Sequence, residues 1–362
     1  MLPYRLRGDE PPVPPGHPGP SAPRPPAELH RPVLINSWEA AYFDFDAGKL
    51  VDLAREAAGL GVDLFVLDDG WFGARNNDCA GLGDWGVNEE KLSGGLAALI
   101  ERIKALGMDF GIWVEPEMVN EDSGLYRAHP DWALGPADRP HTRGRSQLVL
   151  DFPHILIEGC AGGGGRFDGG MLYYTPQIWC SDNTDAMDRL RIQYGTSFCY
   201  PVCTMGAHVS KAPNEQTGRV TPLETRGAVA MSGTFGYEMD LGRATPEERE
   251  TIKAQVKFFK EHYGLIQRGD YYRLSDPFAA PYTAWEQVSP DKREALVSLV
   301  YSPLQANGPF RTLRMKGLDP GAVYQVNGGE EGWPGDVLMA AGYPLPLSMG
   351  DYQSVQLYLN AI

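Results

Sequence analysis

No run of 18 apolar residues occurs in this chain of 362 residues, which excludes a membrane-spanning helix. Cationic residues are scarce: 32 Lys and Arg stand against 47 Asp and Glu, for a net charge of −15. Nucleic acids and anionic membranes are held through Lys and Arg, so neither is expected as a partner. Cysteines are few and odd in number, at positions 79, 160, 180, 199 and 203, with no Cys-x-x-Cys pair. That usage argues for free thiols in a reducing, cytoplasmic setting, and against a disulfide framework or a zinc site. The residues from Met1 to Arg7 lack the apolar stretch of a secretory signal. The commonest serine-hydrolase signal, Gly-x-Ser-x-Gly, is absent. The glycine run at 162–165 fits neither a dinucleotide nor a P-loop register; close approach of its backbone N–H groups to a ligand is the expectation. His208 has no second histidine at ligand spacing, so neither a metal nor any other cofactor is expected.

What is present is enough for one large domain and one small one. Residues 1–31 are rich in proline and are expected to be extended or disordered, since proline supports neither helix nor sheet ladders. From residue 32 to 268, short apolar runs alternate with amphipathic stretches. Strands are expected over Pro32–Trp38, Leu64–Trp71 and Phe110–Glu117, with helices over about 47–60 and 91–106 between them. Two further runs, Gln147–Phe152 and His154–Cys160, are separated by Pro153 alone. Parallel strands need a crossover of a dozen residues or more, so one of these is not a barrel strand or a segment is missing. Then come a strand at Gln177–Cys180, a helix near 185–195, an extended stretch over Ser197–Met205, a loop at Gly206–His208, a helix starting at Thr221-Pro222 and a last strand over Thr234–Asp240. Thr245-Pro246-Glu247-Glu248 reads as a capping box opening a helix that carries Ile252, Val256, Phe259 and Tyr263. Over 269–362 the pattern changes to short alternating runs, as in a small antiparallel β domain.

The acids and tryptophans gather at the C-terminal ends of the expected strands. That is the polarity of a (β/α)₈ barrel, whose chemistry lies on that face. Asp68-Asp69-Gly70-Trp71 is the clearest ligand site. Adjacent carboxylates can accept hydrogen bonds from neighbouring sugar hydroxyls, and tryptophan can cover the apolar C–H face of the ring; the plainer alternative is a solvated turn. In Ser181-Asp182-Asn183-Thr184-Asp185, Asp185 is expected to cap the following helix. Asp182, at the strand tip, is a candidate general acid/base. Glycoside hydrolysis needs a second carboxylate across the bond, and none is evident.

Five stretches together, Val33–Ala40 (VLINSWEA), Leu67–Gly73 (LDDGWFG), Trp113–Met118 (WVEPEM), Ile157–Asp168 (IEGCAGGGGRFD) and Ser181–Ala186 (SDNTDA), resemble the family 36 glycoside hydrolases, the bacterial α-galactosidases. The resemblance covers about residues 30–330, in order. It implies a retaining α-galactosidase acting on small galactosides, on a (β/α)₈ barrel with a C-terminal β-sandwich. It implies that Asp182 is the acid/base, that Asp68 and Asp69 hold galactose hydroxyls, and that Trp38, Trp113, Arg145, Cys160 and Gly162 line the sugar site.

Two departures stand out. A proline-rich segment replaces the family's N-terminal β-sandwich. Since the family's assembly involves that domain, a homo-oligomer is not a firm expectation. The family's Lys-Trp-Asp-Met-Asn-Arg motif, which carries the nucleophile on barrel strand four, should lie between Asp151 and His154 and is absent. The shortfall is roughly 60–70 residues, the size of one βα unit with its loops. Asp151 is the one nearby acid that could stand in. The competing readings are a non-catalytic galactoside-binding remnant and a truncated product that folds poorly.

Overall fold

In the computed structural model the described residues are 30–116, 118–132, 155–160, 162–303, 310–346 and 350–362. Residues 1–29 of the proline-rich segment, the expected strand at 147–152, Arg145 and Asp151 all lie outside them.

Seven parallel strands form the first sheet: β1 (Leu34–Asn36), β2 (Leu64–Leu67), β3 (Asp109–Ile112), β4 (Glu158–Gly159), β5 (Gln177–Trp179), β6 (Met205–Ser210) and β7 (Thr234–Glu238). Their order is β3-β2-β1-β7-β6-β5-β4. The first strand therefore lies between the second and the last, with Leu34 opposite both Leu64 and Gly236. That adjacency belongs to a barrel, but the circle does not close. In a complete barrel of eight strands each has two neighbours; among the described residues β3 pairs only with β2 and β4 only with β5. The break falls where the sequence runs short, and the fold is a (β/α)₈ barrel that lacks one unit. Ile112, Val114 and Met118 on one lip and Ile155 on the other are exposed.

Local rules account for the surrounding helices. The helix Ala47–Gly59 starts at Asp46, whose side chain accepts from the Lys49 N–H, and it buries Leu50, Val51, Leu53, Ala54 and Ala57. The helix Pro246–Glu261 has the expected capping box: Thr245 Oγ1 accepts from Glu248 N–H at 3.2 Å, and Glu248 Oε2 from Thr245 N–H at 2.9 Å. Its stripe of Ile252, Val256 and Phe259 packs into the same core as Phe65, Phe235 and Tyr237.

Four local expectations need correcting. Gly206, Ala207 and His208 are not a loop but the middle of β6. Val202–Thr204, expected as extended, forms a short 3-10 turn before it. Pro222 precedes the helix Leu223–Ala230 as its cap rather than opening it. The strand expected over His154–Cys160 contracts to Glu158–Gly159.

From β8 (Asp270–Arg273) onward the strands are antiparallel. They are β9 (Tyr282–Val288), β10 (Glu294–Tyr301), β11 (Thr312–Leu313), β12 (Val323–Val326), β13 (Gly332–Pro334), β14 (Tyr343–Pro344) and β15 (Ser354–Ala361); six make one sheet in the order β13-β12-β15-β10-β9-β8, and β11 and β14 form a separate pair. Val297, Leu299, Tyr324, Leu357 and Leu359 build its core. No helix among the described residues is long and apolar enough to cross a membrane.

Candidate active site

The C-terminal ends of the barrel strands bring together Asn36 and Trp38, Asp68 and Asp69, Trp113, Cys160, Asp182 and Glu238. Asp68 is fixed from three sides. Its Oδ2 accepts from Asn36 Nδ2 at 2.7 Å, its Oδ1 from the Asp69 N–H at 2.7 Å, and its own N–H donates to Ser37 Oγ at 3.0 Å. Burial pushes its carboxyl up to about 6, against the Asn36 bond, which lowers it.

Asp69 behaves differently from its neighbour. It is buried, and both its oxygens are held by Arg75: Nε lies 2.9 Å from Oδ1 and Nη2 lies 2.6 Å from Oδ2. The Arg75 fork also reaches the carbonyls of Asn77 and Ala80. Asp69 thus fastens the loop after β2, and it meets a ligand only through the lone pairs this fork leaves free.

The tryptophans fall into two groups. Trp38 sits edge-on to Tyr42 and Phe43, with ring centroids 5.1 and 5.2 Å away. Trp113 neighbours Trp85, and its carbonyl accepts the Trp71 indole N–H at 2.9 Å.

Asp182 is exposed at the tip of β5, and its Oδ1 accepts the Trp179 indole N–H at 2.9 Å. Asp185 is the helix cap, accepting from the N–H groups of Met187 and Asp188 and paired with Arg219. The glycine run approaches the protein's own backbone rather than open space. A Cβ on Gly163 would come within 2.8 Å of Asp182 N, and one on Gly164 within 2.9 Å of the Cys180 carbonyl. Both have positive φ, at 75° and 92°, which glycine alone takes without strain. Gly162 also has positive φ, at 56°, but a Cβ there would meet nothing within 4 Å. The Cys160 thiol is pushed up to about 11 by burial, offset by bonds from the N–H groups of Gly163 and Gly162.

Sequence reasoning missed a buried polar group beneath this face. Glu238, at the end of β7, meets His208 Nδ1 at 3.0 Å. Burial pushes Glu238 up to about 8 and His208 down to about 4, so it drives both ends of this contact towards their uncharged forms. Glu39 is raised to about 7, first by burial and then by the neighbouring Glu238 carboxyl wherever that ionises, while its Oε1 accepts from Thr184 Oγ1 at 2.6 Å. Glu39 follows Trp38 directly, and Glu238 lies within the expected last strand, Thr234–Asp240, and ends the observed one. The available signal was an acid at a buried strand end.

The sequence pattern of the melibiase family matches residues 25–154 and 151–269, and that of the glycosyl hydrolase family 36 C-terminal domain matches 282–359. The chain belongs to the melibiase family, in its glycoside hydrolase family 36 branch.

It is 49% identical to the bifunctional alpha-galactosidase/sucrose kinase AgaSK of Mediterraneibacter gnavus over 388 residues, covering 91% of this chain and 42% of that protein. It is 46% identical to alpha-galactosidase AgaA of Geobacillus stearothermophilus over 404 residues, covering 92% of this chain and 55% of that one. The crystal structure of AgaA superposes with a TM-score of 0.88 at 44% identity, covering 92% of this chain and 56% of that one. A variant of AgaA has been crystallised with raffinose. The chain spans about half the length of these family 36 relatives. The shortfall is partly internal. Since 91% of 362 residues is about 329 and 92% is about 333, about 59 positions of AgaSK and about 71 of AgaA have no counterpart inside the matched stretch. The two melibiase matches meet at 151–154, where the sequence implied a lost βα unit.

Proposed function

We propose that this chain carries the acid half of a retaining α-galactosidase site. Asp182 is the acid/base, and Asp68, Asp69, Trp38, Trp113, Arg145, Cys160 and Gly162 form the galactose site, in a barrel unit over 32–268 followed by a β domain over 269–362. The observation that carries the proposal is an accessible, hydrogen-bonded Asp182 just beyond β5, on a sheet that among the described residues is open between β3 and β4. A retaining mechanism needs an ionised carboxylate roughly 5–5.5 Å from the acid. Glu238 is buried against His208, and both burial and the charge of Asp182 push its carboxyl up, away from the ionised form that attack needs. Asp68 is spoken for by Asn36.

The proposed substrates are small galactosides; relatives in this family are alpha-galactosidases, one of them crystallised with raffinose. No nucleic-acid or membrane partner is part of the proposal. A cytoplasmic setting is, and all five cysteines are free thiols.

The test is hydrolysis of an activated aryl α-galactoside with and without azide or formate. The expected result is negligible turnover alone and recovery with the anion, which replaces the missing carboxylate. Equal rates with and without anion would refute it. Galactose binding with no recovery would establish the second reading, a galactoside-binding remnant, which the open sheet also favours.

A further inference from the structure

Trp179, the last residue of β5, is fixed more firmly than a site-lining tryptophan needs to be. It is buried, 8% exposed. The His208 ring stacks on it at 4.5 Å and 29°, and the Arg189 guanidinium lies over it at 4.3 Å. Both partners are themselves anchored. His208 is bonded to Glu238. Arg189 donates to the carbonyls of Asn183, Ser181 and Gly206 at 2.8, 2.8 and 3.1 Å. A side chain held in this way has one orientation, and it aims its only donor, the indole N–H, at Oδ1 of the exposed Asp182. The Gly163 backbone lies so close that a Cβ there would come within 2.8 Å of Asp182 N, and Gln216 Nε2 donates to the Asp182 carbonyl at 3.0 Å. Among the described residues no donor engages Oδ2.

We propose that Trp179 is the positioning residue for the proton donor. Its indole N–H occupies Oδ1 of Asp182 and so assigns the transferable proton to Oδ2, with β6, β7 and the helix Ala186–Thr196 supplying the scaffold. This rests on the reading of Asp182 as the acid/base. The bond from the anomeric carbon to the glycosidic oxygen breaks with its electron pair going to that oxygen. The oxygen takes the proton from Oδ2, leaving Asp182 as carboxylate, and an external anion bonds to the anomeric carbon. An acid that is present but unaligned loses most of its value, so the effect of Trp179 depends on how much acid help the leaving group needs.

Two measurements test it. In the first, solvent exchange of the Trp179 indole proton is followed by NMR in the whole chain, which needs no turnover. Asp182→Ala is expected to speed exchange by about tenfold or more, since the bond that protects the proton is lost; unchanged exchange overturns the proposal. In the second, anion-rescued hydrolysis is compared for an activated aryl and an alkyl galactoside. Trp179→Phe and replacement by benzothienylalanine, which keeps the ring shape but has no N–H, are both made. The expected result is a loss on the order of tenfold or more on the alkyl substrate and within about twofold on the aryl one. Equal losses on both would reduce Trp179 to a packing role. If Trp179→Phe fails to fold, the benzothienyl protein decides. If the unsubstituted chain gives no anion-rescued rate, the assignment of Asp182 falls, and the exchange measurement alone decides whether Trp179 fixes that carboxylate.

Discussion

Glu286 offers a sharp test of the physical reasoning. It lies fully buried in β9 (Tyr282–Val288), opposite Val297 of β10. Its Oε2 accepts the Lys316 N–H at 2.8 Å, and its Oε1 is buried without a partner. Burial raises its carboxyl from 4.5 to about 8. The sign follows directly. Unfolded, the group ionises near 4.5; folded, it stays protonated to about 8, so the unfolded state gains stability as pH rises between the two. Each pH unit costs about 1.4 kcal/mol, and three units between pH 5 and pH 8 sum to about 4 kcal/mol as an upper figure. Glu286→Gln keeps an acceptor for Lys316 and cannot ionise. It should leave stability nearly unchanged at pH 5 and raise it by about 2–4 kcal/mol at pH 8. Urea denaturation at the two pH values reads this as a shift in midpoint. Wild type and Glu286→Gln losing stability in parallel from pH 5 to 8 would refute the argument, because the difference isolates Glu286 from Glu39, Asp68 and Glu238, which pull the same way in the barrel.

Three further outcomes are expected. Arg75→Met leaves the buried Asp69 carboxylate without its counter-ion and should cost about 3–5 kcal/mol by thermal or urea unfolding, partly restored in the Arg75→Met, Asp69→Asn double variant. Thr245→Ala removes one side of the capping box and should cost about 1 kcal/mol in the same assay, with no effect on ligand binding. Gly163→Ala puts a methyl group within 2.8 Å of Asp182 N at a backbone angle alanine avoids, and should lower the anion-rescued rate on the order of tenfold by moving the proton donor.

Strand ends were legible where composition changes abruptly. Leu64–Leu67 runs straight into Asp68, and Gln177–Trp179 into Cys180-Ser181-Asp182, so both the barrel polarity and the position of Asp182 could be read. β6 was not legible. Met205–Ser210 is buried at every residue, and a strand covered on both faces shows no alternation, while Gly-Ala-His carries no β-branched signal. The glycine run is expected to approach a ligand, whereas Gly163 and Gly164 approach the chain at 180–182, a tertiary fact. His208 and Glu238 stand 30 positions apart and meet only because β6 and β7 pair. Asp69 reads as the twin of Asp68. Only the fold reveals that Arg75, six residues on, holds it.

The flanks of β3 and β4, which pair with no further strand among the described residues, bear on handling as much as on catalysis. Backbone donors and acceptors along β3 must be met by water or by another extended segment, and oily side chains stand beside them at Ile112 and Val114. A ring of strands protects itself by having no ends; the described strands leave two, and such ends invite neighbouring molecules to dock. The first property to limit work with this protein in solution is therefore concentration: it should cluster through these flanks, and Ile112→Lys should keep it dispersed.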